Sequence, residues 1–320
     1  MTGAAELTAG SDAVGMIASR SASSLFWARF KEDRAAVGAA VFLVLLVLIA
    51  IIGGPIVAQI TGHSVNHAYP SIMEDSFGLP KGPNAQFWFG ADGAGRDLFV
   101  RVLYGARTSL IVGVGASAIA VFIGLIVGLL AGYFGGWADT MLSRTGDVML
   151  ALPSLLISIG IVAACSSNKN GCVAGLIQPG IRLVVLVIAL FTWPYIARIV
   201  RGFTLSLRER DFVEASRSLG ASNLRIVFRE ILPNLLGPMV VYSTLLVPQN
   251  ILFEAALSYL GLGVPLGTAS WGGLLNDAQA YYDVAWWLML FPGLFLVATT
   301  LAFNLLGDGL RDALDVRAER

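Results

Sequence analysis

Val37-Gly-Ala-Ala-Val-Phe-Leu-Val-Leu-Leu-Val-Leu-Ile-Ala-Ile-Ile-Gly-Gly-Pro-Ile-Val-Ala-Gln-Ile60 runs for 24 residues without one charge. As a helix it is about 36 Å long at 1.5 Å per residue, enough to cross a hydrocarbon core of about 30 Å. Arg29, Lys31 and Arg34 precede it. The run is too long for the apolar region of a cleaved signal, so it reads as an uncleaved first span.

The rest of the chain repeats the pattern. Of 320 residues, 56% are hydrophobic and 13% charged, and the mean hydropathy is +0.75; soluble domains carry about 25% charged residues. Six spans are predicted, at about 37–60, 108–133, 142–164, 181–203, 234–257 and 285–306. Their continuous apolar runs call for helices, because barrel strands alternate over about ten residues. Pro153, Pro194, Pro248 and Pro292 are expected to kink the spans rather than break them. With both termini inside, inner segments hold 15 Lys/Arg and outer segments six, which favours an N-in, C-in arrangement. The expected organisation is a flexible tail at 1–24, an N-terminal segment with the first span at 25–60, and an extracytoplasmic loop at 61–107. A five-helix membrane core follows at 108–306, then a cytoplasmic tail at 307–320. Cys165 and Cys172 flank a short outer turn. They form a disulfide if that turn meets an oxidising compartment, and are two thiols otherwise.

The longest inner loop, about Thr204 to Pro233, is the informative one. Within it Asp211-Phe-Val-Glu-Ala-Ser-Arg-Ser-Leu-Gly220 predicts a two-turn helix. Asp211 serves as N-cap with Glu214 as its capping-box partner, and Gly220 is the stop. Phe212, Ala215, Ser216 and Leu219 recur at i, i+3, i+4 and i+7 to give one weakly apolar face. A helix this short is not stable alone. Either it docks on a partner, with small Ala215 and Ser216 allowing close approach and Arg210, Glu214 and Arg217 fixing orientation, or it lies against lipid headgroups.

At these residues the chain resembles a known family. Glu214-Ala215-Ser216, Gly220 and a stretch ending Leu232-Pro233 are similar to the "EAA" loop of binding-protein-dependent ABC importer permeases. Ser216 stands where the pattern has Ala, and Glu230 where it has an apolar residue, a departure frequent among peptide permeases. The resemblance extends from about residue 25 to the end. Phe89-Gly-Ala-Asp-Gly-Ala-Gly-Arg-Asp97 with Arg101–Leu110 resembles the segment before span 2 of dipeptide and oligopeptide permeases. Glu254–Gly263 with Ser270-Trp-Gly272 resembles their fifth outer loop, and Asn304–Asp315 their C-terminal signature. Together these point to the second, C-type permease subunit. The resemblance implies an all-α, polytopic importer permease fold with six transmembrane helices and a cytoplasmic coupling helix carried by Asp211, Phe212, Glu214, Ala215, Ser216, Arg217, Leu219 and Gly220. It implies a multi-pass protein of the cytoplasmic (inner) membrane, embedded in the lipid bilayer. It also implies a sister permease forming a heterodimer, two ATP-binding subunits and an extracytoplasmic solute-binding protein. Di- or oligopeptides are the expected cargo, with nickel and glutathione importers sharing the motifs.

Other chemistries find little footing. A phosphate-binding loop needs Gly-x-x-x-x-Gly-Lys-Ser/Thr, but the three lysines are followed by Glu32, Gly82 and Asn170. ATP and magnesium would therefore be bound by partner subunits, with no cofactor on this chain, which is expected to be non-catalytic. Lys/Arg and Asp/Glu balance at 21 each, leaving no electrostatic footprint for nucleic acid. His63 and His67 lack the Glu of a zinc-protease motif and read as solvated loop residues, so no metal site is expected. Gly307-Asp308-Gly309 has no second carboxylate in an opposed span, as an intramembrane protease would need. Polar groups within spans are costly and hence functional candidates. Gln249 and Asn250 are candidates for a translocation path, with Glu254 at the outer helix end, and interhelical hydrogen bonding is the competing role. Asp147 is expected to pair with Arg144 at the inner surface. A self-sufficient secondary transporter would instead need an ion site and buried mid-membrane charge.

Overall fold

The computed structural model describes residues 22–69, 78–167, 172, 175–265 and 267–314. Most of the expected N-terminal tail, and the end of the expected C-terminal one, lie outside that set. Helices carry the fold: α1 (Ala22–Glu32), α2 (Arg34–Thr61), α3 (Leu98–Phe134), α4 (Gly136–Ala151) and α5 (Ser154–Ser167). They continue with α6 (Ile181–Arg208), α7 (Asp211–Ser218), α8 (Asn223–Tyr259), α9 (Trp271–Ala278) and α10 (Trp287–Leu314). β-Pairing among the described residues is confined to isolated bridges at Ala91–Asp97 and Cys172–Ile177.

Five helices, α2, α3, α6, α8 and α10, are long and apolar enough to cross a membrane, and α4 with α5 makes a sixth if the bent pair is one span. That pair is bent by 85°. Leu152 sits at φ −74°, ψ 140°, the extended conformation favoured for a residue preceding proline. Pro153 therefore breaks its span instead of kinking it, whereas Pro194, Pro248 and Pro292 lie inside continuous helices.

Helix ends also differ from the hydropathy reading. The second span begins at Leu98, ten residues before the apolar run, because the Asp97 carboxylate caps it by accepting from the N–H groups of Phe99 (2.9 Å) and Val100 (3.4 Å). Residues 307–314 continue α10, and residues 223–231 lengthen the fifth span through a π-helical stretch at Ile226–Ile231. Both extensions lie outside the bilayer-length core, where hydropathy carries no signal.

A glycine ridge sets the closest packing. Gly124, Gly128 and Gly132 fall four apart on one face of α3, and α6 lies directly on them. A Cβ at Gly128 would sit 2.6 Å from the Ala197 carbonyl oxygen, and one at Gly132 would sit 2.7 Å from Thr204 Cβ. Small residues at this spacing let membrane helices approach backbone to backbone. α1 turns at Asp33, which caps α2 through the N–H groups of Ala35 and Ala36. Its Phe26 and Phe30 pack with Leu306, Leu310 and Ala313 of α10. Leu314 reaches Gly237 near the start of α8, so α1, the end of α10 and the loop carrying α7 occupy one side of the molecule.

Candidate functional site

α7 is the expected two-turn helix, held differently from the sequence reading. Its N-cap is Arg210 (φ −85°, ψ 148°), with no side-chain cap bond. Asp211 is therefore the first helical residue and Glu214 the fourth, and no capping box forms. Both acids still lie in the first turn, where the helix dipole favours negative charge. The C-terminus follows the sequence closely. Gly220 adopts φ +79°, the Gly220 N–H donates to the Arg217 carbonyl (3.0 Å) and the Ala221 N–H to the Ser216 carbonyl (3.1 Å). This paired-bond stop requires a left-handed residue at Gly220.

The decisive feature is which side of α7 is covered. Val213 is fully buried and joins the cluster containing Ile226, Val227 and Ile231. The face read from the spacing points away from the chain: Leu219 is 88% exposed and Phe212 38%, with Ala215 also exposed. Glu214 and Arg217 are exposed beside them. α7 is thus fastened through one valine and shows a large leucine outward.

The floor beneath α7 is braced. The Tyr133 hydroxyl donates to Asn223 Oδ1 (2.9 Å), and Arg208 donates to the Gly132 carbonyl (3.1 Å). These contacts tie the inner end of α3 to α8 and α6, the two helices that α7 connects. Beside them lies an inner cavity of about 440 Å³ lined in part by Asp139, Arg144, Asp147, Arg198 and Arg201. Asp147 pairs with Arg198 at 2.7 Å, not with Arg144, and Asp139 receives two bonds from Arg201. The guanidinium groups of α6 reach across to α4, which a partner three residues away on the same helix does not match here.

The outer half holds polar groups that the sequence reading placed otherwise. Asn250 and Glu254 are wholly buried within the chain. Asn250 Nδ2 donates to Ser117 Oγ at 2.9 Å. Glu254 accepts from Ser109 (3.0 Å) and Ser258 (2.6 Å), and Ser109 Oγ in turn accepts from the Trp271 N–H at 3.3 Å. These residues thus serve in hydrogen bonding between α3, α8 and α9; α8 continues to Tyr259, so Glu254 does not end it. Gln249 is exposed and keeps the path candidacy. His63 is buried, not solvated. The left-handed Gly62 turns the chain so that His63 Nδ1 lies 2.6 Å from Asp97 Oδ2, with its ring stacked on Phe87 at 4.3 Å. Cys165 and Cys172 are joined by a disulfide with a Cα separation of 5.0 Å.

Sequence reasoning missed a charge cluster outside the spans proper. Arg96 pairs with Asp92 at 2.7 Å, buried Arg101 lies 3.2 Å from the same carboxylate, and both approach Asp277 of α9. Burial raises the Asp277 carboxyl above its ordinary range, with the pull of Arg101 and Arg96 opposing. Among the described residues no three His, Cys, Asp or Glu side chains gather to hold a metal ion.

Comparison with known proteins places this arrangement. Residues 124–320 match the family described as binding-protein-dependent transport system inner membrane component. Residues 21–71 match the N-terminal TM domain of oligopeptide transport permease C. The glutathione transport system permease proteins GsiD of Escherichia coli O6:K15:H31 and Shigella boydii serotype 4 are each 42% identical over 290 residues, covering 91% of this chain and 89% of theirs. The protein of the same description from Pectobacterium atrosepticum is 39% identical over 293 residues, with the same coverage. Among solved structures, the inward-facing MetNI methionine ABC transporter is similar in fold. Its TM-score is 0.54 at 19% identity, covering 68% of this chain and 97% of that one.

Proposed function

The chain belongs to the family of binding-protein-dependent transport system inner membrane components, dipeptide/oligopeptide branch, and on that premise we propose that it is the permease half of an ATP-driven importer of small peptides. Glutathione, itself a tripeptide, is the first cargo to test, because relatives sharing 42% of residues carry that description. A sister permease would complete the path. Two ATP-binding subunits would grip the inner loops and supply ATP and magnesium, and an extracytoplasmic binding protein would deliver the cargo.

The observation that carries this reading is the outward-facing apolar side of α7, with Leu219 88% exposed on a chain whose three lysines fit no phosphate loop. Closure of the ATP-binding subunits moves α7 as a rigid lever. Because α7 joins α6 to α8 and both are braced to α3, the push enters the span bundle at several points. It switches the bundle between two discrete packings, inward-open and outward-open.

The test is ATP-driven uptake by the complete importer in vesicles. Gly220→Pro forces φ near −65° onto a residue at +79°, and Glu214→Lys reverses charge on the docking face. Each should lower uptake about tenfold or more, the range of one ordinary coupling free energy, while the chain stays inserted. Normal uptake by both variants would remove the assignment.

A further inference from the structure

The outer end of the chain holds a groove of about 360 Å³ that the lever mechanism does not use. It lies where the loop after α2, the third turn of α3, the start of α6 and the loop before α9 meet. Asn66, Tyr104, Arg107, Thr108 and Thr268 contribute the polar part of its lining, with Ile111 and Ile181 among the apolar part. Arg107 is the one charged residue in that lining.

Two features set this arginine apart. Arg96 and Arg101, earlier on the same approach to the membrane, are already paired with Asp92 and Asp277. Arg107 has no such partner: among the described residues it forms no ion pair and donates no hydrogen bond, and its guanidinium is exposed. Among the described residues, the side-chain polar groups of Asn66, Tyr104, Thr108 and Thr268 likewise form no hydrogen bonds. Depth is the second feature. α3 has 37 residues, about 55 Å of helix against about 30 Å of hydrocarbon, so about 25 Å projects. Arg107 lies nine positions after Leu98, about 14 Å along the axis, near the outer boundary and reachable from outside.

A free planar guanidinium ringed by hydroxyl and amide donors, with no carboxylate beside it, matches the geometry of a carboxylate ligand. Its volume falls within the range of small-molecule sites, about 300–1,000 Å³. We propose that this groove receives a carboxylate of the transported peptide, with Arg107 as its charge partner; the inference rests on the small-peptide reading above. Arg107 then discriminates charged from neutral ends of the cargo as it enters from outside.

The experiment uses the complete importer in vesicles and S-methylglutathione, which keeps both carboxylates and has no thiol, alongside its diamide. The two natural cysteines are bonded to each other, so Asn66→Cys adds a single free thiol to this chain at the groove. A membrane-impermeant thiol reagent added outside should label it, and S-methylglutathione should slow labelling about tenfold, a difference of about 1.4 kcal/mol, while the diamide should not. Arg107→Gln should abolish that protection and raise the half-saturation for uptake of the acid about tenfold. Arg107→Lys should restore part of both. Protection that is equal for acid and diamide, or that survives Arg107→Gln, would overturn the assignment. So would a thiol that no external reagent reaches, as expected if lipid headgroups or the sister subunit cover the groove. Failure of the unmodified importer to take up S-methylglutathione or any other small peptide removes the peptide reading instead, and this inference with it.

Discussion

Two helices of eight residues lie outside the spans, and they are held in opposite ways. α9 has a side-chain cap, Ser270 Oγ accepting from the Gly273 N–H at 3.1 Å. It buries Trp271, Leu274 and Ala278, and Gly272 sits so close to α8 that a Cβ would lie 2.6 Å from the Ala255 carbonyl oxygen. α7 has no side-chain cap, buries only Val213, and turns Leu219 outward at 88% exposure. Neither helix is long enough to persist alone. The chain itself completes α9 and leaves α7 with one buried residue, a contrast that supports the docking role proposed for α7.

The sharpest way to break the contrast is Trp271→Ala. The indole is fully buried and donates to the Val102 carbonyl at 3.1 Å, so its loss should destabilise the purified chain by about 3–5 kcal/mol, read as a large drop in thermal midpoint. Val213→Ala removes the single buried contact of α7 and should cost about 2 kcal/mol. Amide exchange should then rise across residues 211–220 ahead of the rest of the chain. Leu219→Ala should leave stability within about 0.5 kcal/mol yet weaken retention of the ATP-binding subunits on affinity purification. A Leu219→Ala chain that unfolds early, or that holds its partners normally, would contradict the interface role.

The smallest effect concerns pH and α9. Burial raises the Asp277 carboxyl above its ordinary value, so the folded chain holds that proton more tightly than the unfolded chain does. The stabilisation is present below the unfolded value and is lost as pH rises through the folded one. Asp277→Asn should therefore flatten the acid-side fall in thermal midpoint with rising pH; an unchanged slope would show that Arg96 and Arg101 cancel the effect of burial, and a steeper fall that they outweigh it.

Span placement and the Gly220 stop were legible in the residues, because bilayer length and a left-handed terminus each leave a local mark. The covered side of α7 was not. Spacing shows that Phe212, Ala215 and Leu219 share a face, but which face the chain keeps depends on Val213 meeting Ile226 and Ile231 from a later segment. The burial of His63 and Arg101 has the same origin, since Asp97 and Asp92 reach them only through the loop's turns. The ridge at Gly124, Gly128 and Gly132 was not read from the sequence, because nothing local says that α6 is what it receives. Leu152 turns extended before Pro153 while Trp193 stays helical before Pro194, a difference that a proline by itself does not announce.

The glycine ridge has a consequence for how the molecule can work. A backbone contact that has no room for a methyl group cannot slip by a register or open by a hinge without losing its whole seam. α3 and α6 are therefore locked to each other along Gly124–Gly132, about 12 Å of helix. The 85° elbow at Leu152–Pro153 carries no such seam of its own, so a bend there costs the α3–α6 contact nothing.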